Sequence, residues 1–145
     1  WRIGYLTCAD YVMDRLLLLS AANITAVPTF LQEAAVTALA TDPAPMRETY
    51  RRRRDYVAAR LEAMGLPFPA PEGAFYVFPD ISRFGLTSEE FCAQLLEKEK
   101  VAVVPGNAFG DSGEGFVRVS YAYSIKQITK ATERIANFAK SIKKG

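Results

Sequence analysis

A chain of 145 residues holds one ordinary domain, or a small domain with a piece of another. Half of its residues are hydrophobic and 12% aromatic, which excludes a disordered chain. Its 18 basic and 16 acidic side chains leave a net charge of +2, too little to recruit nucleic acid or an acidic membrane surface. There is no histidine, so Ser-His-Asp and Cys-His catalysis are excluded and a zinc site is disfavoured. The two cysteines, Cys8 and Cys92, lie far apart without metal-ligand spacing, and predict reduced thiols in a cytosolic protein.

Taken in chain order, the opening WRIGYLT is apolar from its first residue, whereas free termini are usually polar; it predicts that the chain is a fragment of something larger. Arg2 and Gly4 fall on one face of a strand there, where either an internal salt bridge or an approaching ligand would account for the arginine. A helix is predicted from Asp10, as its N-cap, to about Asn23. The apolar run Leu16–Leu19 is short and opens among Asp10, Asp14 and Arg15, so it reads as an amphipathic helix and not a signal peptide. No segment approaches the ~20 apolar residues of a membrane span. Thr29 and Gln32 match a capping box for a second helix, in which Ala34, Ala35, Ala38 and Ala40 allow close approach of another element.

The sequence DPAP at 42–45 breaks the chain, and Pro45 suits the first turn of a third helix over about 45–64, closed by Gly65. Met46, Tyr50, Val57, Leu61 and Met64 give it one apolar stripe. Arg51–Arg54 wraps around the helix, and Glu48 can pair with Arg52 at i,i+4, the pattern of a solvated surface. Beyond the turn-rich FPAPEG, AFYVFPDI predicts a strand. Thr87 and Glu90 form a capping box that opens a helix to about Lys100, and VAVVP and GFVRVSYA predict two further strands. Ser124 and Gln127 open a last helix carrying Ile128, Ala131, Ile135, Phe138 and Ile142 at steps of three and four. Lys140, Lys143 and Lys144 suit its C-terminal dipole. The order strand, helix, strand, strand, helix over 66–145 predicts an α/β layer, a small three-stranded sheet with helices on one side.

The chemistry-bearing residues are few. GNAFGDSGEG lacks the spacing of a P-loop or a dinucleotide fingerprint and precedes a strand, so its glycines fit a connection with positive φ; ligand binding stays the alternative. In FVRVSYA, Val117, Val119 and Tyr121 share one face, and Phe116, Arg118, Ser120 and Ala122 share the other. A guanidinium there needs a partner: an internal carboxylate, or a bound one gripped by its planar fork. Lys98, Lys100, Lys126, Lys130, Lys140, Lys143 and Lys144 all lie on polar helix ends or faces, so none reads as a desolvated nucleophile.

Three stretches, WRIGYL, PEGAFYVFPDI and VAVVPGNAFGDSGEGFVRVSYA, taken in order, resemble the C-terminal part of class I/II aminotransferases of the aspartate aminotransferase superfamily, which use pyridoxal phosphate. The resemblance covers essentially the whole chain. It implies that residues 1–43 are the end of the large cofactor-binding domain, and that 44–145 are the long connecting helix and the small C-terminal domain. It further implies that Arg2 contacts the cofactor phosphate, that Arg118 clamps the substrate α-carboxylate, and that Phe75 lies near the substrate side chain. The Schiff-base lysine would precede Trp1, and no lysine here matches its position; no catalytic residue is expected in this chain, and alone it is expected to be inactive. The implied parent is a cytoplasmic homodimer that moves an amino group between an amino acid and a 2-oxo acid, with no nucleic-acid or membrane partner. A carbon–sulfur lyase or cyclopropane-forming synthase of the same superfamily, a ligand-sensing domain of a transcription regulator, and a free-standing amino-acid-binding domain are the alternatives.

Overall fold

The proline-rich break at 42–45 falls where the chain divides into two units, Trp1–Ala44 and Pro45–Gly145. The structure is a computed structural model in which residues 2–142 are described. The expectations placed on Trp1, Lys143 and Lys144 lie outside the described residues.

In the first unit, residues 2–9 form no regular element, and two helices follow, α1 (Asp10–Asn23) and α2 (Thr29–Ala40). Arg2 has φ of 58°, a left-handed conformation incompatible with an extended strand, so the expected strand face shared with Gly4 is not formed. Both helix starts differ from expectation by one residue. Ala9 is the N-cap of α1 and Asp10 its first helical residue, where a carboxylate meets the positive end of the dipole. Pro28 is the N-cap of α2, and no Thr29–Gln32 box forms; Gln32 instead donates from Nε2 to the Val27 carbonyl at 2.9 Å. Neither helix has a buried residue. Four consecutive leucines sweep about 300° of a helix circumference, so Leu16–Leu19 cannot make a single stripe, and Leu17, Leu18 and Leu19 are exposed.

The helix that leads into the second unit, α3 (Ala44–Ala63), starts where Asp42 accepts the Ala44 N–H at 2.9 Å. Its stripe is buried only in its later half: Val57 and Leu61 are 2% and 1% exposed, whereas Met46 is open to solvent. The arginines find partners close at hand. Arg51 and Arg52 pair with Glu48 at 3.3 and 3.1 Å, Arg54 with Asp55 at 2.7 Å, and Arg53 lies over the Tyr50 ring. Exposed pairs of this kind contribute a few tenths of a kcal/mol each, ~0.3–0.5. Past the end of α3, Arg83 donates to the Met64 and Gly65 carbonyls and satisfies groups the helix leaves open.

Three short strands follow the expected order but are trimmed: β1 (Tyr76–Val77), β2 (Val104–Pro105) and β3 (Val117–Ser120), with α4 (Ser88–Glu99) between the first two and α5 (Ile125–Ile142) last. Pro79 and Pro105 have no N–H to donate to a ladder, which limits the first two. The sheet is antiparallel with order β1-β3-β2; Tyr76 pairs with Ser120, Val77 with Val119, Val104 with Arg118 and Pro105 with Val117. Val117 and Val119 line one apolar interior with Leu61, Phe91, Leu95 and Ile135, so three helices cover that face of β3. Burial of each such side chain contributes about 1.5–3 kcal/mol before the entropy of ordering is set against it. Both capping boxes of this unit form. Thr87 and Glu90 exchange side-chain-to-backbone bonds at the start of α4, and Ser124 and Gln127 do so before α5. On α5, Ile128, Ile135 and Phe138 are buried and Ala131 and Ile142 partly so.

Candidate functional site

Alternation along β3 puts Val117 and Val119 into the core and turns Arg118 to the opposite face, which is the reason a guanidinium is tolerated in an apolar strand. On that face Tyr76 stands opposite Ser120 and so is the diagonal neighbour of Arg118. The guanidinium carbon lies 4.2 Å from the centre of the Tyr76 ring and 4.5 Å from that of Phe109. Phe109 is in turn braced edge-on by Phe78, at 5.6 Å and 77°. Each cation–ring contact of this kind contributes about 0.5–2 kcal/mol. Among the described residues, Arg118 has no carboxylate partner and donates no hydrogen bond. The internal-salt-bridge reading of Arg118 thus lacks its carboxylate, and its hydrogen-bond donors are left available.

The glycine-rich segment holds Phe109 in this position. It winds into two short 3-10 turns, Gly106–Phe109 and Asp111–Gly113. Gly110 and Gly115 have positive φ, as expected, but Gly106 and Gly113 serve a different need. A Cβ on Gly106 would stand 2.1 Å from the Gly113 carbonyl oxygen, and one on Gly113 2.0 Å from that of Gly106. Two backbone runs cross there with no room for a side chain. The N-terminus of α4 fastens the same segment: Ser88 N–H donates to Glu114 at 2.8 Å, Gly115 N–H donates to the fully buried Ser88 hydroxyl at 2.9 Å, and Asn107 Nδ2 reaches Glu89 at 3.4 Å. The segment is therefore occupied with itself and with α4.

Phe75 lies just before β1, partly exposed, with its ring 4.5 Å from that of Tyr76 and 6.0 Å from that of Tyr50. Tyr121 pins this stretch: its N–H donates to the Phe75 carbonyl at 2.9 Å and its hydroxyl to that of Ala74 at 3.2 Å. Burial pushes the Tyr121 phenol up, with Arg54 pulling slightly the other way, so it stays a neutral donor. Phe75 and Arg118 are thus joined through Tyr76 in one aromatic cluster. Arg2 belongs to the other unit; it is exposed, and among the described residues it has no hydrogen-bond acceptor and no carboxylate. Lys98, Lys100, Lys126, Lys130 and Lys140 are all exposed. No group of three or more potential metal ligands occurs among the described residues, and none of their helices is long and apolar enough to cross a membrane.

Sequence reasoning missed Tyr76 and Phe109. The alternation Tyr76, Val77, Phe78 already put two aromatic residues on one face of the first strand, which was the available signal; Phe109 gave none, because its contact depends on how the glycine segment folds back.

A small antiparallel sheet backed by helices, offering an open arginine on its far face, is the architecture of an α/β domain built around an acidic small molecule. The chain belongs to the aminotransferase class I and II family, whose profile matches residues 1–135. It is 41% identical over 148 residues to aromatic-amino-acid aminotransferase 2 of Thermococcus litoralis, covering 99% of this chain and 38% of that protein. With an aspartate aminotransferase of Pyrococcus abyssi it shares 43% over 140 residues, covering 93% of this chain and 36% of the relative. Its structure is similar to that of an aromatic aminotransferase from Pyrococcus horikoshii, with a TM-score of 0.88, 42% identity, and coverage of 99% of this chain and 40% of that one. The aspartate aminotransferase of Thermotoga maritima gives a TM-score of 0.88 at 39% identity, covering 97% and 36%. The chain spans well under half the length of the proteins it matches, and the expected α/β fold of a C-terminal aminotransferase segment is the one found.

Proposed function

We propose that this chain supplies the carboxylate-binding part of a pyridoxal-phosphate-dependent transaminase, which moves an amino group between an amino acid and a 2-oxo acid. The observation that carries the reading is Arg118: a planar cation braced by two rings, with donors that no carboxylate among the described residues occupies. A carboxylate gripped by both arms of a guanidinium is held in one plane, and the carbon beside it is held with it, which is catalysis by orientation. Phe75, at the border of the same aromatic cluster, would meet the substrate side chain. In the same proposal, Trp1–Ala44 is the end of the large cofactor-binding domain, residues 44–145 are the connecting helix and small domain, and the parent is a cytoplasmic homodimer.

The residues present suit the cofactor in one respect that can be tested on this chain. Arg2 is exposed and without an acidic partner among the described residues, as a phosphate ligand must be. When bound, pyridoxal phosphate supplies the electron sink for proton loss next to the amino group. The described lysines are solvated on helix ends and faces, so the lysine that holds the cofactor is proposed to lie outside these residues, and the 145 residues alone to be inactive.

The test uses the full-length enzyme with amino-acid and 2-oxo-acid pairs, beside Arg118→Lys. Transamination that needs an acceptor, with kcat/KM lowered about 10²–10³-fold in Arg118→Lys, supports the proposal, since lysine keeps the charge but loses the planar fork. Ammonia and pyruvate released without an acceptor would overturn it in favour of a lyase. A pyridoxal absorbance of the 145-residue chain, abolished by replacing one of its lysines, would overturn the assignment of the cofactor lysine.

A further inference from the structure

Building on the carboxylate role of Arg118, we infer that Phe109 is a positioning residue for it: the Phe109 ring, held over the guanidinium by the latch between the glycine segment and the N-terminus of α4, sets the plane in which Arg118 meets a carboxylate. An arginine side chain has several rotatable bonds, and an unrestrained one loses that freedom each time it binds a ligand. Arg118 receives no orienting hydrogen bond from any described residue. Its orientation therefore comes from ring contacts, and there are two, Tyr76 at 4.2 Å and Phe109 at 4.5 Å.

The two rings differ in how they are placed. Tyr76 stands on β1, paired directly with Ser120, so the sheet itself fixes it. Phe109 is half exposed at the end of a 3-10 turn, and a phenyl ring with solvent on one side has no packing reason to lie over a cation. What keeps it there is the crossing of Gly106 and Gly113, the bonds from Ser88 and Gly115, and the edge of Phe78. Ser88 is fully buried and holds both its bonds at 2.8–2.9 Å, so this end of α4 and the Phe109 segment move as one body. The inference assigns a task to residues otherwise remote from the ligand: α4 begins at Ser88 so that the loop before β3 is rigid where Phe109 leaves it.

The test is a set of full-length variants titrated calorimetrically with 3-phenylpropionate, a carboxylate without an amino group to react, and separately with 2-phenylethylamine, an amine without a carboxylate. In Phe109→Leu the carboxylate is expected to bind about tenfold more weakly, the size of one cation–ring contact, with the amine unchanged. Phe109→Tyr, which keeps a ring, should bind both within about twofold of the parent. Arg118→Lys is the reference, and should weaken the carboxylate alone. If Arg118→Lys weakens 3-phenylpropionate while Phe109→Leu leaves it unchanged, the positioning role is overturned and the carboxylate role stands. If Phe109→Leu weakens both probes equally, the ring is only packing, and the inference is again overturned. Should Arg118→Lys leave 3-phenylpropionate unchanged, the carboxylate role itself is overturned and this inference with it.

Discussion

A single methyl group tests how the glycine segment is built. At Gly106 it would stand 2.1 Å from a backbone oxygen, and neither run of chain there has a flexible end that could yield. Gly106→Ala is therefore expected to destabilise the 145-residue chain by about 2–4 kcal/mol, as overpacking against backbone does. Gly73→Ala, with nothing within 4 Å of the added carbon and no positive φ, should stay within about 0.5 kcal/mol. Urea unfolding of the two variants makes the comparison, and equal midpoints would contradict the crossing. The cysteines separate just as sharply. Burial, with Glu89 adding to it, pushes the Cys92 thiol up to about 11, whereas Cys8 is exposed. Alkylation by iodoacetamide at pH 8 should mark Cys8 and leave Cys92 with a thiolate fraction of about 10⁻³, its rate rising about tenfold per pH unit until near pH 11. Equal rates at pH 8, read by peptide mass spectrometry, would contradict the burial of Cys92.

At the scale of elements, the start of α4 carries both a local signal and a pH dependence. Glu90 accepts the Thr87 backbone N–H at 2.9 Å and the Thr87 hydroxyl at 3.0 Å, in that order of effect, and these hold its carboxyl below the usual 4.5. A folded value below the unfolded one means that the stabilisation is complete above pH 4.5 and is lost as pH falls through the lowered value. Glu90→Ala should therefore lower the melting temperature at pH 7 and converge with the parent at strongly acid pH; a constant difference across that range would contradict the box. The same box explains what could be read from the sequence. Thr87–Glu90 and Ser124–Gln127 are contacts between residues three apart, so spacing alone located α4 and α5. Thr29–Gln32 has the same spacing, but Pro28 starts that helix and Gln32 turns back to Val27, a choice between neighbours that spacing does not encode. The strands were placed correctly but drawn too long, because only the three-dimensional ladder shows where Pro79 and Pro105 end it. Arg118 was legible as an odd residue in an apolar strand; its ring partners were not, since Tyr76 is supplied by strand pairing and Phe109 by a loop whose path is set at Gly106 and Gly113.

At the scale of the whole chain, the two units are unequal in what they bury. Every residue of the hydrophobic core lies between Val57 and Ala139, whereas α1 and α2 bury none and leave side chains such as Tyr5 and Leu39 at 83% and 74% exposure. Helices of 14 and 12 residues are marginal in water on their own, and ordering each residue costs about 1–2 kcal/mol, which exposed leucines do not offset. The Trp1–Ala44 unit should accordingly open far more readily than Pro45–Gly145. Limited proteolysis of the 145-residue chain is expected to cut first within residues 2–43 and to leave a resistant fragment that begins near Pro45. Hydrogen exchange should show amides of α1 and α2 exchanging at least about 10²-fold faster than those around Leu61, Phe91 and Ile135, a difference of about 3 kcal/mol in opening free energy. In the full-length enzyme the same two helices should become protected, because the large domain proposed to continue from them would cover the leucines and tyrosines that are open here. Protection of α1 and α2 equal to that of the core in the 145-residue chain would contradict the imbalance; their rapid exchange in the full-length enzyme as well would contradict their place in a larger domain.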